Sequence, residues 1–374
     1  GALPDQATNS YANPQPTEEV TVPTAVPTPA PTVDAANFTR QAMLQDIGYG
    51  VIMPLHERFV GETAVLRDAV YAFEAAPSEA TLADVQATWK IAAATWKQAE
   101  ALDFDGLQFG RVYNWPAETV FVERLIAEPS YMIDETFILT RGSFAQGLPI
   151  IEYFVFHPQL SQAEIVEGLM THDLSERRFT YLLTAADLLH NTAVRLHQFW
   201  LPEGQNQIGV FVMADEAPIE PEGSINGLAN KMLKSLEDIR EMKVASPAGF
   251  LDPNVAPGYV EAPFSGQSAD HLVQNLRGWQ QLFNGGVGYG YDDYLDFLDA
   301  NYGEEQLSDV INAQIETAVS AVEQIEQPLE TAVVDNPQAV LRVYEELSTL
   351  VRLTKTDMAN HLGLLITYND GDGD

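Results

Sequence analysis

The chain has 374 residues, 46% of them apolar and 10% aromatic, which is enough to bury real cores and excludes global disorder. It carries 54 acidic against 19 basic residues, a formal net charge of −35, which argues against nucleic acid and an anionic membrane surface as partners. The absence of cysteine removes disulfides, thiolate metal sites and cysteine nucleophiles together.

Residues 1–36 stand apart. Seven prolines (Pro4, Pro14, Pro16, Pro23, Pro27, Pro29 and Pro31) lie among Thr, Ala and Gln without a single Lys or Arg. Such sequence favours extended, polyproline-like states over helix and reads as a tether. A tether ahead of an exported bacterial body suggests a lipoprotein whose lipidated cysteine lies upstream of residue 1. No apolar run reaches the roughly 18 residues that a spanning helix needs, so membrane contact is expected only through such an anchor.

From residue 37 the pattern is helical. Leu44, Ile47, Val51, Leu55 and Phe59 recur at spacings of three and four, as do Leu82, Val85, Trp89, Ala93 and Trp96. GLPIIEYFVF (147–156) opens with Gly147 and Pro149, the grammar of a helix start, and continues apolar on nearly every side, as a buried helix does. Leu182, Ala186, Leu189, Ala193, Leu196 and Trp200 form the next stripe. Ile225 to Ile239, Ile311 to Leu329 and Tyr344 to Leu365 carry three more in the second half, and Ser268 with Asp270 reads as a helix N-cap. Alternating threes and fours mark helices packed nearly parallel in bundles. The breakers between 202 and 223 divide the pattern, giving a tether (1–36), a first helical bundle (37–204) and a second (205–374).

Some polar residues fall where apolar ones belong. Extending the stripe through Trp96 by one turn lands on Glu100, either a solvated helix end or a site residue. Glu152 is the only charge in its buried helix, and a buried carboxylate has to be paired, hydrogen-bonded or protonated. The seven histidines make no metal motif: Asp187, His190 and His197 share a helix face without a matching Glu-x-x-His elsewhere. His361 falls on the last seam, and His56 follows Pro54 on the first helix. The closing Asn369-Asp370-Gly371-Asp372 has the alternation of a calcium loop without its terminal glutamate. GGVGYG (285–290) follows no strand and lacks a cation, so it reads as a helix-linking loop.

Several segments together resemble the imelysin-like family: ATWKIAAATWKQAEAL (87–102), Tyr113-Asn114-Trp115-Pro116, GLPIIEYFVF, residues 177–200, 225–249, 264–286 and 361–374, in the family's order. The resemblance implies an all-α protein of two four-helix-bundle domains packed against each other, with a functional site at their interface. It also implies location in the periplasm or outer membrane and a role in iron uptake. The family's Gly-x-His-x-x-Glu motif, once taken for a metallopeptidase signature, maps onto Gly147, Pro149 and Glu152. Proline offers no side-chain nitrogen, so a His–Glu metal pair cannot form there and peptidase chemistry loses its ligand.

The expectation is therefore a non-enzymatic envelope protein. It would bind iron or another divalent or trivalent cation, an iron chelate, or an iron-uptake protein. Glu152, Pro149, Gly147, Glu100, His56, Ser265, Ser268, Asp370 and Asp372 are the candidate binding residues, hard oxygen donors suiting a hard cation. The competing expectations are an imelysin-type metallopeptidase and a structural or adhesive surface lipoprotein.

Overall fold

A computed structural model describes residues 37–104, 106–213, 223–251 and 256–367. The tether, Asp370 and Asp372 lie outside the described residues. Eight helices frame the site: α1 (Met53–Ala75), α2 (Glu79–Ala99), α3 (Leu148–Val155), α4 (Ser175–Trp200), α5 (Ser224–Asp238), α6 (Ser268–Phe283), α7 (Leu307–Glu323) and α8 (Pro337–Arg352). Shorter helices and turns connect them, and the described strands amount to one two-residue antiparallel ribbon, Asn301–Tyr302 with Glu305–Gln306. The class is all-α, as the periodicity and the resemblance both imply.

The apolar stripes become the core. Leu82, Val85, Trp89, Ala93 and Trp96 of α2 are all buried, as are Leu182, Ala186, Leu189, Leu196 and Trp200 of α4. In the first half, α1 lies against α2 and α4, and α3 packs on both. In the second half, α6 packs on α7, α7 on α8, and α8 on α5. The described residues form one compact unit in which α2 crosses α6. That crossing depends on Gly278: a Cβ there would sit 2.1 Å from the Gln98 carbonyl oxygen, so no other residue lets the two backbones approach so closely. The Gln98 amide donates to Gln274 beside it, at 2.7 Å.

Two of the expected stripes are interrupted by π-helical turns, at Gly48–Ile52 and Leu353–Met358, and a third ends at one, Ile239–Ala245. Each inserts a residue into the helical ladder and turns the following side chains to a new face. Ser268 departs from its expected part: it is the first helical residue, Gln267 precedes it as the cap, and the Ser268 hydroxyl donates to the Glu261 carbonyl instead. His361 is exposed, because the last helix ends at Leu362 with Gly363 in the left-handed region.

Beyond Gly363 the chain is fastened by two buried amides of α5. Asn226 accepts from the Leu365 N–H (2.8 Å) and donates to its carbonyl (3.1 Å). Asn230 donates to the same carbonyl (2.8 Å) and accepts from the Thr367 N–H (2.8 Å). All the contacts of these two amides with residues 365 and 367 reach backbone atoms, except a weak one from the Thr367 hydroxyl.

Candidate functional site

The chain buries charge where its two halves meet. Lys97, near the end of α2, is fully enclosed, and its ammonium donates to Glu100 and to Glu261, the latter at 2.6 Å. Lys243, in the π-turn that follows α5, donates to the other oxygen of Glu100, to Asn275 at 2.8 Å, and to Glu261 at 3.2 Å. Asn275 of α6 completes the cluster by donating to Glu100 (2.7 Å) and to the Lys97 carbonyl (2.8 Å), which also accepts from the Glu100 N–H at the end of α2. The Lys97 ammonium also lies 3.2 Å from the centroid of the Tyr113 ring, a cation–π contact.

Two ammonium groups and two carboxylates therefore neutralise one another out of water. Burial alone pushes both acids up, but Lys243 and Lys97 outweigh it and hold Glu100 below, and Glu261 well below, the usual carboxylate range. Burial pulls Lys97 down from the ordinary lysine value. Lys243 feels the same burial, yet Glu100 and Glu261 raise it. His271, buried with Nδ1 3.5 Å from Glu261, is pushed down by burial and is neutral at pH 7.

Beside this cluster a cavity of about 450 Å³ opens, walled by Trp96, Phe109, Tyr113, Trp115 and Tyr259 and floored by Lys97, Glu100, Lys243 and Asn275. The Trp96 indole N–H is buried and has no hydrogen-bond partner among the described residues. Trp115 donates its indole N–H to the Tyr259 carbonyl at 3.0 Å, tying the loop after α5 to the residues before α3. Trp115 and Pro116 also border a second cavity, of about 200 Å³, lined by Pro149, Glu152 and Phe264.

Glu152 stands there as the sequence suggests: buried, unpaired by any cation among the described residues, and satisfied by hydrogen bonds. One of its oxygens accepts from the Phe264 N–H (3.1 Å), the Ser265 N–H (2.8 Å) and the Ser265 hydroxyl (2.8 Å). Burial outweighs these three donors and lifts its pKa to about 7. Gly147 caps α3 at φ 81°, and a Cβ there would lie 2.4 Å from the Val112 carbonyl oxygen, so the helix start is wedged against residues 111–112. The Leu148 carbonyl accepts from Trp89 and the Ala145 carbonyl from Tyr181, which fixes α3 and with it Glu152.

Ser265 thus joins Glu152, and Pro149 and Gly147 frame it. Glu100 is drawn into the lysine cluster rather than onto Glu152. Ser268 touches the loop carrying Glu261. His56 lines neither cavity; it is buried against Trp200, with ring centroids 5.9 Å apart, and burial drives its pKa to about 3. Sequence reasoning passed over Lys97, Lys243, Glu261 and Asn275. One had a signal: stepping four residues on from Ala93 reaches Lys97, whereas Lys243 lies in a π-turn, where the α-helical period does not hold. Glu261 lies in a loop, where no period applies.

Among the described residues no group of three or more His, Asp or Glu side chains gathers as a metal site. The acids at the junction are already taken by lysines or by backbone N–H groups, so this donor set does not suit a bare cation. Nor does any described helix have the length and apolarity to cross a membrane.

Comparison with known proteins places these observations. The sequence model of the Imelysin family, classed as peptidase M75, matches residues 52–356. Two solved structures share the fold. One, from Parabacteroides distasonis and described as an iron-regulated protein A precursor, is 18% identical with a TM-score of 0.69, over 89% of this chain and 98% of that one. The other, an imelysin-like protein from Psychrobacter arcticum, is 16% identical with a TM-score of 0.69, over 91% and 99%. No curated protein matches the chain.

Proposed function

The chain belongs to the imelysin family, and from that premise we propose that it is a cell-envelope binding protein of iron acquisition rather than a peptidase. Its ligand, an iron chelate or a chelating group, enters the aromatic cavity between the chain's two halves. The observation that carries this reading is the cavity itself. It has about 450 Å³ of space, aromatic walls and a floor of buried, mutually neutralised charge. That is the make-up of a pocket for a small organic molecule with a polar head. The iron link rests on the relative from Parabacteroides distasonis described as iron-regulated. An envelope location, through a lipid anchor ahead of the tether, fits the word "precursor" in that description.

Two features oppose hydrolysis. Pro149 stands where a metal-binding histidine would be needed. Glu152 commits one oxygen to two backbone N–H groups and the Ser265 hydroxyl, and it forms no ion pair with a cation among the described residues, which suits a carboxylate that organises the 264–265 loop rather than one that serves a metal. The test is calorimetric titration of the full chain with ferric citrate, repeated on Trp115→Ala and Tyr259→Ala. Binding that weakens at least tenfold in both supports the cavity, and binding unchanged in both removes it. Incubation with casein is expected to leave the substrate intact; cleavage that stops on adding a chelator would restore the metallopeptidase reading.

A further inference from the structure

Glu100 differs from its partners in the charged cluster. Lys97 and Glu261 have side chains no more than 2% exposed and Lys243 5%, while Glu100 is 22% exposed. It borders the cavity at the point where α2 gives way to the tighter turn Glu100–Leu102. Its carboxylate is nonetheless gripped on both oxygens, one by Lys97, the other by Lys243 and Asn275. A carboxylate held by two ammonium groups and an amide N–H at the edge of an open cavity occupies a built carboxylate seat.

Charge bookkeeping points the same way. With Glu100 swung into the cavity mouth, Lys97 and Lys243 face Glu261 alone, and one positive charge is left out of water. Such a charge demands an anion. The walls beyond the seat are aromatic.

Resting on the cavity reading above, we infer that Glu100 is an internal stand-in for the ligand, and that the cavity binds organic carboxylates whose head group displaces Glu100 from Lys97, Lys243 and Asn275. The body of the ligand lies among Trp96, Phe109, Trp115 and Tyr259. No covalent step is involved: one carboxylate replaces another, and the expelled Glu100 side chain takes up water.

This reverses the outcome expected of a cation site, where losing a carboxylate weakens binding. The probes are 3-phenylpropionate, citrate and, as an uncharged control, 3-phenylpropionamide, titrated calorimetrically into the full chain. In Glu100→Gln the competing charge is gone, and both carboxylates are expected to bind at least tenfold tighter than to wild type. In Lys243→Met they are expected to bind at least tenfold more weakly, and the amide to bind none of the three proteins measurably. Carboxylates binding Glu100→Gln no tighter than wild type would overturn the inference, as would an amide that binds as well as its acid. The wild-type acid-against-amide comparison stands even if Lys243→Met does not fold. A ferric citrate titration that responds to Trp115→Ala but not to Glu100→Gln would sink the seat while leaving the cavity reading intact.

Discussion

Replacing Glu152 by Gln tests the account of its burial directly. In the folded protein this acid holds its proton up to about pH 7, against an ordinary value of 4.5. Between those limits the folded state binds a proton that the unfolded chain has released. Stability therefore falls as pH rises through this window, and the contribution is complete below it. At about 1.4 kcal/mol per pH unit the loss is about 3 kcal/mol between pH 4.5 and 7. Glutamine keeps an oxygen in place for the Phe264 and Ser265 donors and carries no charge at any pH. Urea unfolding followed by circular dichroism at pH 5, 6, 7 and 8 is then expected to show wild type losing about 2.5 kcal/mol relative to the variant between the first and last of these, because part of the loss already lies below pH 5. Other groups that burial pushes up, such as Asp292, contribute to both proteins and cancel in the difference. Parallel curves for the two proteins would refute the argument, because they would mean that Glu152 is ionised throughout and held in some other way.

The opposite pH dependence is expected at His56, whose pKa burial lowers from 6.5 to about 3. Its neutral form stabilises the fold above pH 6.5 and that stability is lost on acidification, so His56→Phe should gain about 2 kcal/mol over wild type at pH 5 relative to pH 8, measured by the same unfolding curves. Gly278→Ala forces a methyl group against the Gln98 carbonyl oxygen. A loss of about 1–3 kcal/mol is expected, and an unchanged melting curve would show that the α2–α6 crossing can relax. The Arg177 guanidinium donates to the carbonyls of Ile126 (2.6 Å), Glu128 (2.9 Å) and Tyr131 (3.1 Å), binding a loop to α4. Arg177→Met should cost about 1–3 kcal/mol and make residues 126–131 a new site of limited proteolysis.

Helices were legible in the sequence wherever one face alone is buried, because the period of apolar residues then records the packing, as it does for α2 and α4. Glu152 was legible for the same reason, as the one charge in an apolar helix. The π-turns were not, since a single inserted residue leaves the spacing of threes and fours nearly intact while rotating everything after it. Lys243 lies in such a turn. Lys97 was hidden by chemistry, because a lysine on a seam reads as a long side chain reaching for water. Here the α2–α6 crossing and Tyr113 close over it. Pairings between residues far apart in the chain, Glu261 with Lys97 or Ser265 with Glu152, leave no trace in any local pattern.

The hold that Asn226 and Asn230 take on the chain's last described residues has a further meaning. Two side-chain amides here do the work of a neighbouring strand, offering donors and acceptors to main chain alone. What they grip is an extended backbone, almost whatever side chains it bears, and Leu365 points half into water. Ile366 between them packs on the core, but residues 365 and 367 are thus free to drift in sequence, whereas either asparagine can change only with the loss of the clasp. In that corner of the molecule the constraint has moved from the segment that is held to the helix that holds it.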